Sequence, residues 1–182
     1  WRGATADPFL APERLTVAQA VQRHAGIDIL SLSDRDDLAA ALKALGIRVA
    51  DDDTWGDLFS RLLVGHVEPH LGHGRATILC EYPISQAALA RPAPHDGRVA
   101  ERFELYVCGV ELANCFGELT DADEQRRRFE AEMDEKARIY GERYPIDEDL
   151  LRALTLMPPA SGAALGFDRL VMLAVGATHI DQ

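Results

Sequence analysis

Apolar positions recur at helical spacing through the first 65 or so residues and at every second residue in the middle of the chain. The pattern predicts helices first and paired strands after. Thr16-Val17-Ala18-Gln19 has the form of a capping box, so a helix should run from there to about His24, with Gly26 as its stop. Ser33-Asp34-Arg35-Asp36 opens a second helix; Leu38, Leu42 and Leu45 make its inward stripe and Gly46 ends it. A third spans about 54–64, with Trp55, Leu58, Phe59, Leu62 and Leu63 inward. Ahead of these, residues 1–13 carry Pro8 and Pro12 and read as an irregular lead-in. Residues 76–81 (ATILCE) read as a buried strand, Tyr82-Pro83 ends it, and a polar, proline-rich loop follows to about Arg98.

The next stretch, 101–119, is a β-prone run interrupted by acids. Phe103, Leu105, Tyr106, Val107 and Val110 favour extended chain, and Cys108-Gly109 reads as a two-residue hairpin turn. Pairing about that turn sets Val107 against Val110, Tyr106 against Glu111 and Glu104 against Ala113. Glu104 and Glu111 then share one face as diagonal neighbours, roughly 7–8 Å apart at the backbone. Two acids on an apolar face suit a hard cation such as Mg²⁺ carrying phosphate oxygens; a half-exposed hairpin with its acids in water is the alternative that pattern leaves open. Asn114, Phe116 and Glu118 form a second alternating set. Strict alternation puts that set on the other face from Glu111, and a bulge near residues 113–115 would unite the two.

Beyond the hairpin, Thr120-Asp121-Ala122-Asp123 caps a long charged helix to about Gly141, and Pro145 precedes another over 147–157 with Leu150, Leu151, Leu154 and Met157 inward. Residues 161–167 make a strand of small residues, and Asp168 opens the last helix with Arg169 beside it. A planar guanidinium at such a junction suits a triphosphate, or makes a structural ion pair with Asp168. Helices and hairpin strands are segregated along the chain, which is an α+β pattern.

Composition narrows the function classes. A net charge of −11 gives no basic nucleic-acid footprint, and Arg126-Arg127-Arg128 sits among acids on a solvated helix face. No apolar run reaches membrane-span length, so no membrane partner is expected. Three cysteines, Cys80, Cys108 and Cys115, lack metal or redox spacing and read as small buried hydrophobes in a reducing, cytoplasmic setting. His66, His70 and His73 are interrupted by Pro69 and Gly72, and no further ligand completes a zinc site.

Two blocks carry a family resemblance. FELYVCGVELANCFGEL, at 103–119, resembles the hairpin of class II lysyl-tRNA synthetases and their paralogues, and SGAALGFDRLVML, at 161–173, resembles motif 3 of that class. The stretch Ser85-Gln86-Ala87-Ala88-Leu89-Ala90 and the ELTDA sequence at 118–122 are closer to the short paralogues that lysylate elongation factor P. The resemblance runs from about residue 16 to 182, closely from 77 onward. It implies the class II catalytic core, an antiparallel β-sheet flanked by helices. Within it, 1–182 is the C-terminal part, with a mainly helical spacer over 1–75 and the hairpin and motif 3 region over 76–182.

The resemblance also implies a reaction: attack of a lysine carboxylate on the α-phosphorus of ATP, giving lysyl-adenylate and pyrophosphate. By it, Glu104 and Glu111 hold Mg²⁺ on ATP, Arg169 binds the γ-phosphate, and Asn114, Phe116 and Glu118 line the lysine pocket. A buried ammonium needs a carboxylate partner, which Glu118 supplies. Ala164 stands where the tRNA enzymes have Gly, and in the resembling paralogues that goes with β-lysine. Cys115 stands where the family has Gly; were that position at positive φ, Cys would carry strain. Motifs 1 and 2 are not in the chain, so the 182 residues alone are expected to be inactive and the full-length protein to be a homodimer. The acceptor implied is elongation factor P; lysine tRNA, or no acceptor in a non-catalytic binding module, are the alternatives.

Overall fold

The computed structural model describes residues 1–87 and 89–181. In chain order the elements are β1 (Ala6–Asp7), β2 (Glu13–Thr16), α1 (Val17–Ala25), α2 (Arg35–Ala44), α3 (Trp55–Leu62), β3 (Gly74–Arg75), β4 (Thr77–Pro83), β5 (Pro92–Ala93), β6 (Asp96–Val107), β7 (Val110–Gly117), α4 (Ala122–Tyr140), α5 (Glu148–Leu154), β8 (Ser161–Leu165) and α6 (Phe167–Val175). Six strands form one sheet in the order β2-β4-β6-β7-β8, with β5 beside β6. All its pairings are antiparallel except β2 with β4, so the sheet is mixed rather than wholly antiparallel. β1 and β3 make a separate parallel pair.

The N-terminal helices form where the capping residues dictate. Thr16 and Gln19 close a full capping box on α1, and Gly26 takes the left-handed conformation that ends it. Thr54 and Asp57 do the same for α3, and Asp34 caps α2 through the Asp36 N–H. Each such cap contributes about 1 kcal/mol. The inward faces of α1, α2 and α3 bury Val17, Val21, Leu38, Leu42, Leu58 and Leu62 against Leu79, Tyr82 and Tyr106 of the sheet. Leu45, expected in that stripe, is exposed because α2 ends one residue before it.

The hairpin turns where expected. Cys108 and Gly109 both have positive φ, 53° and 74°, the signature of a type I′ turn. Their N–H groups donate to the carbonyls of Gly72 and Leu71 at 2.8 and 2.9 Å, which holds the strained Cys108 in place. The register beyond the turn differs from simple pairing. Tyr106 faces Glu111, but Leu105 faces Ala113 and Glu104 faces Asn114, so Leu112 is an extra residue on β7. The bulge is real but precedes the expected 113–115 stretch, and Glu104 does not oppose Ala113.

The strand expected to stop before Tyr82 continues through Pro83 by way of another irregularity at Glu81, whose φ is +60°. The first hairpin strand begins at Asp96, inside the expected loop. Ala88, within the SQA motif, and Gln182 lie outside the described residues. The C-terminal elements are thinly covered. In α5 only Leu151 is buried, and the expected inward residues Leu150 and Met157 are exposed.

Candidate functional site

Cross-strand partners share a face of a sheet. Arg102 pairs with Phe116 and Phe116 with Gly162; Glu104 pairs with Asn114 and Asn114 with Ala164; Tyr106 pairs with Glu111. Glu104, Glu111, Asn114, Phe116 and Ala164 therefore stand on one face across three strands. The Leu112 bulge makes this possible, because it shifts the alternation by one residue and brings Glu111 to the side of Asn114 and Phe116. Glu118 follows β7, with its N–H donating to the Ala160 carbonyl at 3.0 Å. Its carboxylate lies over Gly162, where any added Cβ would collide with Glu118 Oε1. The small-residue strand thus makes room for the acid of the expected lysine pocket.

Arg169 closes the other end. The Gly166 N–H donates to the Leu112 carbonyl at 2.8 Å, which fixes the start of α6 beside the bulge. From there Arg169 Nη1 donates to the Glu111 carbonyl at 2.8 Å and to Glu111 Oε2 at 3.0 Å. The ion pair that forms is with Glu111 rather than Asp168. Both partners are partly exposed, 45% and 32%, so the pair contributes at most about 1 kcal/mol. Arg169 can trade it for a phosphate at little cost.

Glu104 is in a different state. It is 6% exposed and takes three donors: Tyr82 OH at 2.5 Å and Tyr106 OH at 2.6 Å on Oε2, and Arg102 Nη2 at 2.6 Å on Oε1. Burial first, then neighbouring charge, pushes both phenols far above the ordinary tyrosine value, so they remain proton donors. For Mg²⁺ the fit is therefore unequal. Among the described residues Glu111 offers a carboxylate held by Arg169 alone, whereas Glu104 keeps little beyond a lone pair on Oε1. Among the described residues no group of three or more His, Cys, Asp or Glu is placed to hold a metal, so an ion here would need ligand oxygens as well.

Sequence reasoning missed four participants. Arg102 and Tyr106 lie two residues either side of Glu104, and period two alone would have put them on its face. Tyr82 escaped because it was read as a strand end. Glu68 was read as part of a structural connection. Tyr106 OH also lies 3.3 Å from Glu68 Oε1, and Glu68 feels the charges of Glu104, Glu111 and Arg169. Burial holds the Glu68 carboxyl above its usual range. A further sign of a ligand-facing surface is Asn114 Oδ1, which is buried and finds no donor among the described residues.

Cys115 is not strained. It sits in β7 between Phe103 and Ala163, has no positive φ, and is 5% exposed on the opposite face. Burial raises its thiol pKa, in keeping with an inert side chain. A cavity of about 560 Å³ is lined by Arg14, Cys80, Phe103, Cys115 and Ala163 of that face and reaches Arg102, Phe116 and Gly162 of the site face. The three histidines do not converge: His70 stacks on His24 at 4.6 Å, and His73 Nε2 meets the Pro69 carbonyl.

No helix is long and apolar enough to cross a membrane among the described residues. The chain is 46% identical over 173 residues to an elongation factor P--(R)-beta-lysine ligase of Klebsiella pneumoniae, covering 93% of the chain and 53% of that protein. Proteins of the same name from Salmonella arizonae and Enterobacter sp. are 48% and 47% identical over 92% of the chain and 52% of their length. The chain spans about half the length of the curated relatives it matches. The family model of the class II tRNA synthetases (D, K and N) matches residues 8–182, and the chain belongs to that family.

Proposed function

We propose that the full-length protein uses ATP to activate lysine or β-lysine as an adenylate and transfers it to a lysine of elongation factor P. The observation that carries this reading is the single face on which Glu111–Arg169, Asn114, Ala164, Phe116 and Glu118 meet. The relatives' shared name supports the acceptor.

The roles follow from position. Arg169 releases Glu111 to take the γ-phosphate, giving a charged donor where negative charge must be held. Glu111, with Glu104 in support, would hold Mg²⁺, which would neutralise phosphate charge. Asn114 Oδ1 is an open acceptor for an N–H of the amino acid's polar head. Phe116 packs on the aliphatic stem, and Glu118 over Gly162 pairs the side-chain ammonium. Ala164, beside Asn114, adds one methyl to the strand's profile against the amino acid, a feature that goes with β-lysine in the resembling paralogues. Catalysis is then positioning and charge stabilisation, with no side-chain nucleophile. Residues 1–182 supply the C-terminal part of the catalytic domain, inactive alone, of a cytoplasmic homodimer.

The family's tRNA synthetases favour a second reading, lysine–tRNA ligase; the net charge of −11 weighs against it. The test is to give the full-length protein ATP, Mg²⁺, labelled lysine or β-lysine, elongation factor P and lysine tRNA together. Label on elongation factor P is expected. Label on tRNA would establish the second reading, and no label with no pyrophosphate exchange would leave a non-catalytic module.

A further inference from the structure

Arg102 is the most constrained cation on the site face. Its Nη1 donates to the Gln86 carbonyl at 2.6 Å and its Nη2 to Glu104 Oε1 at 2.6 Å. The guanidinium lies 4.3 Å from the centre of the Tyr82 ring and 5.6 Å from that of Phe116, its cross-strand partner. The side chain is 17% exposed, and Nε is buried with no acceptor among the described residues. Three otherwise separate parts meet on this one group: the 3₁₀ turn Ile84–Gln86, the buried carboxylate of Glu104, and the ring of Phe116.

We infer that Arg102 is a positioning residue for the amino acid, holding the Phe116 ring and the Ile84–Gln86 turn in register with Glu104. The inference rests on the lysine-activating reading above. The two-pronged geometry is the reason for Arg at this place. A lysine ammonium carries the same charge, but it cannot donate in one plane to both Glu104 and the Gln86 carbonyl while stacking between two rings. Arg102 reaches the nucleotide end only through Glu104, the supporting carboxylate, and among the described residues it makes no hydrogen bond or ion pair to the main pair there, Glu111–Arg169. Disturbing Arg102 should therefore weaken the amino acid more than ATP.

The test is Arg102→Lys in the full-length protein, read by pyrophosphate exchange. KM for the preferred amino acid should rise about tenfold or more, with KM for ATP within about threefold of wild type. Arg98→Lys, at a 65% exposed position paired with Asp96, is the control and should change neither. Arg102→Lys combined with Phe116→Leu should be non-additive, since one change acts through the other. Equal amino-acid KM in Arg102→Lys and wild type, or parallel rises in both KM values, would overturn the role of Arg102 alone. A wild type without exchange activity would overturn the functional reading as well. Should the variant not fold, hydrogen exchange on the wild type decides. Lysine without ATP should slow exchange at Ile84–Gln86, and no change there would overturn the inference.

Discussion

The two faces of the sheet share one backbone and have opposite chemistry. One carries Arg102, Glu104, Tyr106, Glu111, Asn114 and Phe116; the other carries Cys80, Phe103, Leu105, Ala113 and Cys115. On the first, polar groups are bonded to one another or, at Asn114 Oδ1, left without a donor among the described residues, and the N-terminal helices pack on Leu79 and Tyr106 of that face. On the second, the strand side chains from Cys80 to Cys115 are apolar or small, Arg14, Arg91 and Glu101 line the cavity beside them, and Phe103 and Leu165 are exposed at 39% and 55%. A single bulge at Leu112 produces the division, because without it Glu111 would stand on the apolar face. The shared face of the candidate site depends on register before it depends on any residue's chemistry. A change on the first face should alter activity, and a change on the second should alter stability only.

The sharpest break of that comparison is Arg169→Ala in the full-length protein. It removes the cation paired with Glu111, and kcat/KM for adenylation should fall on the order of 10²- to 10³-fold. The measurement is pyrophosphate exchange at saturating amino acid. An effect below about threefold would mean that the first face does not hold the nucleotide. Next is Tyr106→Phe, which acts on the same face but through the fold. Tyr106 is fully buried, and its hydroxyl is one of the donors to Glu104. Removing it leaves a buried carboxylate short of a donor, at a cost of about 1–3 kcal/mol read from the urea midpoint. No loss would show that Glu104 is solvated rather than clamped.

Glu68 gives a smaller, pH-dependent effect. Burial raises its carboxyl pKa, with Glu104 and Glu111 adding to the rise and the Tyr106 hydrogen bond and Arg169 opposing it. A raised folded-state pKa means that its contribution to stability is complete below the ordinary value of 4.5. That contribution is lost as pH rises through the folded value. Glu68→Gln should therefore gain on wild type between pH 4 and pH 7, seen as a widening difference in urea midpoint. A difference that stays constant across that range would place Glu68 in water.

Much of this was legible in the sequence where local chemistry decides. The capping boxes at Thr16 and Thr54 and the Cys108-Gly109 turn are set by neighbours in the chain, and they appear where expected. Glu111, Asn114, Phe116 and Ala164 do come together, as the resemblance implied. What stayed hidden needed long-range contact. The position of the bulge is chosen by burial of Leu112, 6% exposed, and by its carbonyl accepting from Gly166 more than fifty residues away. The clamp on Glu104 joins Tyr82 from another strand, and Glu68 reaches it through Tyr106 from a helical connection. Leu45, Leu150 and Met157 fit a helical stripe in sequence, yet two lie outside their helices and Leu150 faces away from Leu151's contacts.

The smallest expected effect is the most discriminating, because it restores the residue the family resemblance expects. Cys115→Gly removes a buried thiol on the second face, between Phe103 and Ala163. Glycine inside a strand costs about 0.5–1 kcal/mol in chain entropy, and the lost burial of a small side chain adds to it. The urea midpoint should fall by about 1 kcal/mol in equivalent stability, with both KM values within about twofold of wild type. The backbone of Cys115 needs no positive φ, so glycine gains nothing there by conformational freedom. If the amino-acid KM moves instead, residue 115 acts through its neighbours Asn114 and Phe116. Position on the second face would then not insulate the pocket, and the division of labour between the faces would fail at its centre strand.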